Sequence, residues 1–142
     1  MNAEELTGTY TYRSFLDLPQ LLSDDDFIRL KFAQLPLQLS VQPDGTVTGK
    51  LIFGQEPRVM DLTGKISAWS PVQLRLTGRG RPGTTIPDFQ DYHYEYDGIV
   101  LHHWESGIHQ RLTIAGTVLR AEAHGSAPAG QTASFLAVKR DA

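Results

Sequence analysis

One phrase recurs along this chain: an apolar residue, a small residue, then glycine. It reads Leu6-Thr7-Gly8, Val47-Thr48-Gly49, Leu62-Thr63-Gly64, Leu76-Thr77-Gly78 and Ile114-Ala115-Gly116, with Tyr96-Asp97-Gly98 as a looser copy. Each copy sits in a run that alternates apolar and polar residues. In Asp61–Ile66, Leu62, Gly64 and Ile66 share one parity, and Asp61, Thr63 and Lys65 share the other. Side chains on a strand point alternately to its two faces, so each glycine falls on the apolar face between larger apolar neighbours. A glycine inside a strand weakens it and marks a bend or a close approach. Repeated on the inward parity of strand after strand, it predicts a sheet curved enough to close, since glycine kinks supply the curvature a small barrel needs.

Taken in order, the chain offers eight strands. The first runs from Leu6 to Arg13, with Leu6, Gly8, Tyr10 and Tyr12 inward. Ser14 to Asp26 is a long excursion holding a short helix around Phe15–Leu22, with Pro19 near its first turn. Ser23-Asp24-Asp25-Asp26 reads as a solvated turn, because calcium loops space their ligands at alternate positions. Phe27–Gln42 changes parity between Ile28, Leu30, Phe32 and the later set Leu35, Leu37, Leu39, Val41. A period of two cannot switch without an inserted residue, so a bulge is expected near Gln34 and Pro36. Pro43-Asp44-Gly45 turns the chain into Thr46–Phe53. Strands over Arg58–Ser67, Val72–Arg79, Asp91–Leu101, Gln110–Ala123 and Thr132–Arg140 follow. Gly80–Gln90, His102–Gly107 and His124–Gln131 connect them, the last small and flexible in composition. The register of the final strand stays open, because Phe135, Leu136, Ala137 and Val138 are consecutive. With no long amphipathic helix for a parallel crossover, the pattern predicts an all-β, eight-stranded antiparallel up-and-down barrel over 1–142.

Several classes of function are disfavoured. A net charge of −3 gives no electrostatic case for nucleic acid. No apolar stretch is long enough to span a membrane as a helix. Met1–Glu5 has no basic region followed by an apolar run, and the chain has no cysteine, so a cytoplasmic location without disulfides is expected. No serine–histidine–acid set, phosphate loop or zinc pattern is present, and neither metal nor cofactor is expected. His102 and His103 point to opposite faces if extended and read as surface residues. His93, Glu95 and Asp97 share the outward parity and read as solvated. Arg79 and Arg81, set among glycines, are a lesser candidate for anion binding.

The tyrosines are the informative set. With the glycine parity inward, Tyr10, Tyr12, Tyr92, Tyr94 and Tyr96 all point into the barrel. A buried phenol fills space, but its hydroxyl needs a partner, and an unpaired one costs about 1–3 kcal/mol. These five, with Arg120 on the parity of Ile114 and Val118, form the candidate site. Arg120 is placed to pair with a ligand carboxylate. The expected function is binding of a small, partly aromatic or amphipathic molecule in the barrel mouth. The alternatives are a cyclase or isomerase acting on a bound hydrophobic substrate, and an accessory protein with a filled core.

Leu6-Thr7-Gly8-Thr9-Tyr10, followed by Leu39-Ser40-Val41-Gln42-Pro43-Asp44-Gly45-Thr46-Val47-Thr48-Gly49, resembles the opening strands of avidin-type barrels. Those belong to the calycin group with lipocalins and fatty-acid-binding proteins. The resemblance implies a barrel with a binding cavity in its mouth. Avidin-type barrels carry a tryptophan where this chain has Tyr10, and their later tryptophans have no counterpart, so biotin binding is not implied. Allene-oxide-cyclase-like barrels share the outline and are enzymes, but none of their motifs is present.

The outward parity carries one more expectation. Most strands place polar residues there, as in Gln73, Arg75, Thr77 and Arg79. The sixth and seventh strands instead place Ile99, Leu101, Ala115 and Leu119 outward. Neighbouring strands would join these into one apolar patch, the expected face of a homodimer.

Overall fold

The inward glycines sit in rows that run around a closed sheet. In the computed structural model, which describes residues 1–17, 30–101 and 111–140, the strands are β1 (Gly8–Leu16), β2 (Lys31–Val41), β3 (Thr46–Ile52), β4 (Val59–Trp69), β5 (Val72–Gly80), β6 (His93–Val100), β7 (Thr113–Arg120) and β8 (Thr132–Lys139). Each pairs antiparallel with its neighbours in sequence, and β8 returns to β1, closing an eight-stranded up-and-down barrel. The closed barrel is consistent with a calycin-like architecture.

One row of successive cross-strand partners reads Gly8, Leu39, Gly49, Leu62, Gly78, Tyr94, Arg120. Large side chains fill the lumen from alternate strands, and the glycines between them leave the room. At Gly64 the constraint is stricter: a Cβ there would overlap the carbonyl oxygen of Arg75 on the next strand. The backbones approach too closely for any side chain, which is how glycine lets a narrow sheet bend shut.

One end of the barrel is sealed. Residues Ala3–Leu6 form a single helical turn, α1, beneath it. Asn2 Oδ1 accepts from the Glu5 N–H at 3.0 Å, and Glu5 Oε1 accepts from the Asn2 N–H at 3.3 Å, a reciprocal cap. Leu6 is buried here and does not open the first strand as expected from its parity. The Tyr10 hydroxyl donates to the Leu6 carbonyl at 2.6 Å and ties the plug to the lumen.

β1 is longer than expected. It continues through Ser14, which points inward and is fully buried, where the excursion was expected to begin. The expected helix after it falls largely outside the described residues, as do Ser23–Asp26 and the turn His102–Gly107. The parity switch in β2 lies at Phe32, not near Gln34 and Pro36: Ser14 pairs with Ala33 and Phe15 with Lys31, so Phe32 is the inserted residue. Bulges re-aim a side chain at a barrel rim, and this one turns Phe32 toward the mouth. The final strand settles with Ala133, Phe135 and Ala137 inward and Leu136 and Val138 outward. β7 is shorter than the expected Gln110–Ala123. Within the expected loop Gly80–Gln90, a 3-10 turn begins at Phe89, whose side chain is fully buried.

The β3–β4, β5–β6 and β7–β8 connections all lie at the end opposite α1, where they rim an open mouth. On the outside, β7 presents Thr113, Ala115, Thr117 and Leu119, and β8 presents Thr132, Ser134, Leu136 and Val138, without a charge among them. No helix among the described residues is long and apolar enough to cross a membrane.

Candidate functional site

The lumen divides into two layers. The lower, lined by Leu37, Leu39, Leu62, Leu74, Leu76 and Phe135 among others, encloses only about 20 Å³ of space. That is room for about one water and no ligand, so this layer is essentially a packed core. The upper layer opens through the mouth as a cavity of about 350 Å³. Leu35, Leu51, Met60 and Val118 form its apolar wall, and Phe32, Phe53 and Tyr92 stand toward the rim.

Sequence reasoning brings most of its site together here. Tyr12, Tyr92, Tyr94, Tyr96 and Arg120 all line the cavity. Tyr10 does not: its hydroxyl is engaged at the sealed end with Leu6. Burial pushes the Tyr12 hydroxyl up to about 12, partly offset by the neighbouring hydroxyls of Ser14 and Tyr96. Burial also holds Tyr96 well above the ordinary tyrosine range and raises Tyr92. These three are neutral phenols at physiological pH. The Tyr12 ring stacks on Phe135 at 5.5 Å and meets Tyr96 edge-on at 6.4 Å.

Arg120 is the centre of the polar set. It is 7% exposed, and its guanidinium carbon lies 5.5 Å from the Phe32 ring centroid and 5.8 Å from that of Tyr94. Its Nε–H donates to the Tyr94 hydroxyl oxygen at 3.1 Å, and Nη1 donates to the Pro128 carbonyl at 3.2 Å. Tyr94 in turn lies 2.9 Å from His124 Nε2. Burial, and then the Arg120 charge, lower the His124 pKa, which keeps the ring neutral. His124 stacks on Tyr92 with centroids 3.9 Å apart.

Of the lining residues outside the expected site, four bring a polar or aromatic group: Ser14, Phe32, Phe53 and His124. Ser14 shares the parity of Tyr10 and Tyr12, a signal that was present but cut off by placing the strand end too early. Phe32 is aimed by the bulge. Phe53 ends an expected strand and packs edge-on against Phe89 at 5.3 Å. His124 carries no sequence signal: it is held by a tight loop in which its backbone and that of Ala127 exchange hydrogen bonds.

The outer charged groups pair with one another. Arg81 is bound by Asp61 through two hydrogen bonds, of 2.7 and 3.1 Å, and is not set up for an anion. His93 is half-buried, with Nε2 2.7 Å from Glu95 and Nδ1 3.2 Å from Glu122. Glu95 also accepts from Thr77 at 2.8 Å. Among the described residues, no three histidine, cysteine or acidic side chains are placed to hold a metal ion. No protein-family model matches the chain, and no curated protein is significantly similar to it.

Proposed function

We propose that this barrel binds a small, partly aromatic or amphipathic molecule in its open mouth. The observation that carries the reading is the contrast between the two layers: the lower lumen is filled, while the upper leaves about 350 Å³ lined by aromatic rings, a buried cation and buried hydroxyls. Pockets of this size, mostly apolar with a few convergent polar groups, are the usual form of small-molecule sites. Use of the barrel mouth is what the resemblance to avidin-type calycins also implies, with a ligand other than biotin. A ligand-observed NMR screen of small aromatic and amphipathic fragments tests the reading. Hits are expected for the unmodified protein and are lost in Ala33→Trp, which fills the mouth from the bulged strand. Hits that persist in that variant contradict it.

A cyclase or isomerase reading uses the same cavity, with the Arg120–Tyr94–His124 chain as its proton-handling groups. It differs in outcome: a bound molecule recovered chemically unchanged after long incubation supports the binder.

We also infer a homodimer through the uncharged outer face. Ile99 and Leu101 are each 42% exposed, Leu119 is 38%, and the settled register of β8 adds Leu136 at 44% and Val138 at 37%. Ile99, Ala115 and Leu136 are successive cross-strand partners, so the patch is continuous. It is centred on β7, and a two-fold axis there would bury the same residues on both copies.

A further inference from the structure

Arg120 carries hydrogen-bonding capacity that the protein does not use. A guanidinium has five N–H donors and stays charged at any physiological pH. Here one donor goes to Tyr94 and one to the Pro128 carbonyl, and Nη2 has no acceptor among the described residues. No carboxylate among the described residues pairs with it. Asp88 and Asp91 act electrostatically on His124, but neither forms an ion pair with Arg120. A buried charge is ordinarily paired, because desolvation without compensation is costly.

The buried Ser14 hydroxyl lies behind the cavity wall and does not add to this. Ser14 is fully buried and lines the same cavity, and its Oγ has no hydrogen-bond partner. The Tyr12 hydroxyl is its neighbour but makes no well-formed bond to it. The Ser14 Oγ is closed off from the open cavity, so the polar group that the mouth offers an occupant is Arg120.

We infer that the mouth is a receptor for a small monocarboxylate with an apolar, ring-sized body, its carboxylate held by the free donors of Arg120. This rests on the reading of the mouth as a ligand site and specifies the ligand's chemistry. The fork of a guanidinium matches the two oxygens of a carboxylate. Tyr94 on Nε and Pro128 on Nη1 hold the fork, and Phe32 flanks its face, so little ordering remains to be done on binding. The neutrality of His124 keeps a second cation away from Arg120. The body of the ligand lies against Leu51, Met60 and Val118. At about 30 Å³ for each water-sized group, 350 Å³ admits about 12, the size of a ring with a short acid chain.

The test uses matched acids and primary amides: 3-phenylpropanoate, octanoate and indole-3-acetate against their amides, titrated calorimetrically into the full chain at neutral pH. The amide keeps the shape and removes the charge. At least one acid is expected to bind at least about tenfold more tightly than its amide, the discrimination a charge-assisted contact provides. Arg120→Gln is expected to abolish that preference. Because this variant removes a buried residue, the acid–amide comparison on the unmodified protein stands as the primary readout. Amides binding as well as their acids would overturn the carboxylate inference and leave the ligand site intact. If neither acids nor amides bind below about 5 mM, both the inference and the reading it rests on fail.

Discussion

Removing a single oxygen from the mouth tests how its polar set is held. In Tyr94→Phe the ring keeps its packing, but the Arg120 Nε–H loses its acceptor and His124 Nε2 loses its partner. Both groups are in or near the buried cavity wall, where water replaces the lost oxygen poorly. Leaving a buried donor unsatisfied costs about 1–3 kcal/mol, more when the group is charged, so about 2 kcal/mol is expected. For 142 residues, unfolding entropy of about 2.1 cal/mol/K per residue gives about 0.3 kcal/mol per degree, and the loss corresponds to about 7 °C in Tm. Tyr92→Phe is the control. Its ring lies in the same wall, yet its hydroxyl makes no hydrogen bond among the described residues, so the change is expected within about 0.5 kcal/mol. Thermal and urea unfolding of both variants give the comparison. If Tyr94→Phe is as stable as Tyr92→Phe, the Arg120–Tyr94–His124 chain does not hold the site, and the argument from it fails.

Gly64→Ala should destabilise by more than about 3 kcal/mol or prevent folding, because the new Cβ overlaps the Arg75 backbone; Gly78→Ala meets only Met60 Cε and Leu62 Cδ2, at 2.9 and 3.0 Å, and should cost about 1–2 kcal/mol. Equal losses in denaturant titrations would refute the close-approach account of the glycine phrase. The unfolded chain gives up the Tyr12 proton near pH 10 and the folded chain only near pH 12. Stability from this group is therefore full below pH 10 and falls as pH rises toward 12, by roughly 3 kcal/mol in all; Tyr12→Phe should flatten that part of the pH profile, and an unchanged profile counts against the burial of this phenol. Ile99→Lys combined with Leu136→Lys should yield a folded monomer in sedimentation velocity, whereas an unmodified protein already monomeric at high micromolar concentration would refute the dimer.

The barrel was legible because its two periodicities reinforce each other. The alternation of Val72–Arg79 sets the inward face, and glycine recurring on that face demands curvature. Tyr12, Tyr94, Tyr96 and Arg120 could be aimed inward from parity alone. Parity says which face a residue takes but not its height in the lumen, so Tyr10, which serves the plug, was grouped with the mouth. The plug itself is signalled by Asn2 and Glu5 at capping-box spacing, but Leu6 matches the strand parity equally well, and local pattern alone does not arbitrate. The bulge was deduced from the parity switch, but its position depends on pairing with β1, which fixes it at Phe32. His124 was beyond sequence reasoning, because a loop residue reaches a site through tertiary geometry and leaves no periodic trace.

The central claim is that the mouth, with Arg120 at its edge, is a binding site. A crystal structure of the protein grown with saturating 3-phenylpropanoate tests it most directly. The account predicts the probe in the upper cavity, its carboxylate within about 3 Å of the Arg120 guanidinium nitrogens and its ring against Val118 and Met60. A mouth holding only water, with the probe elsewhere on the surface, would contradict it.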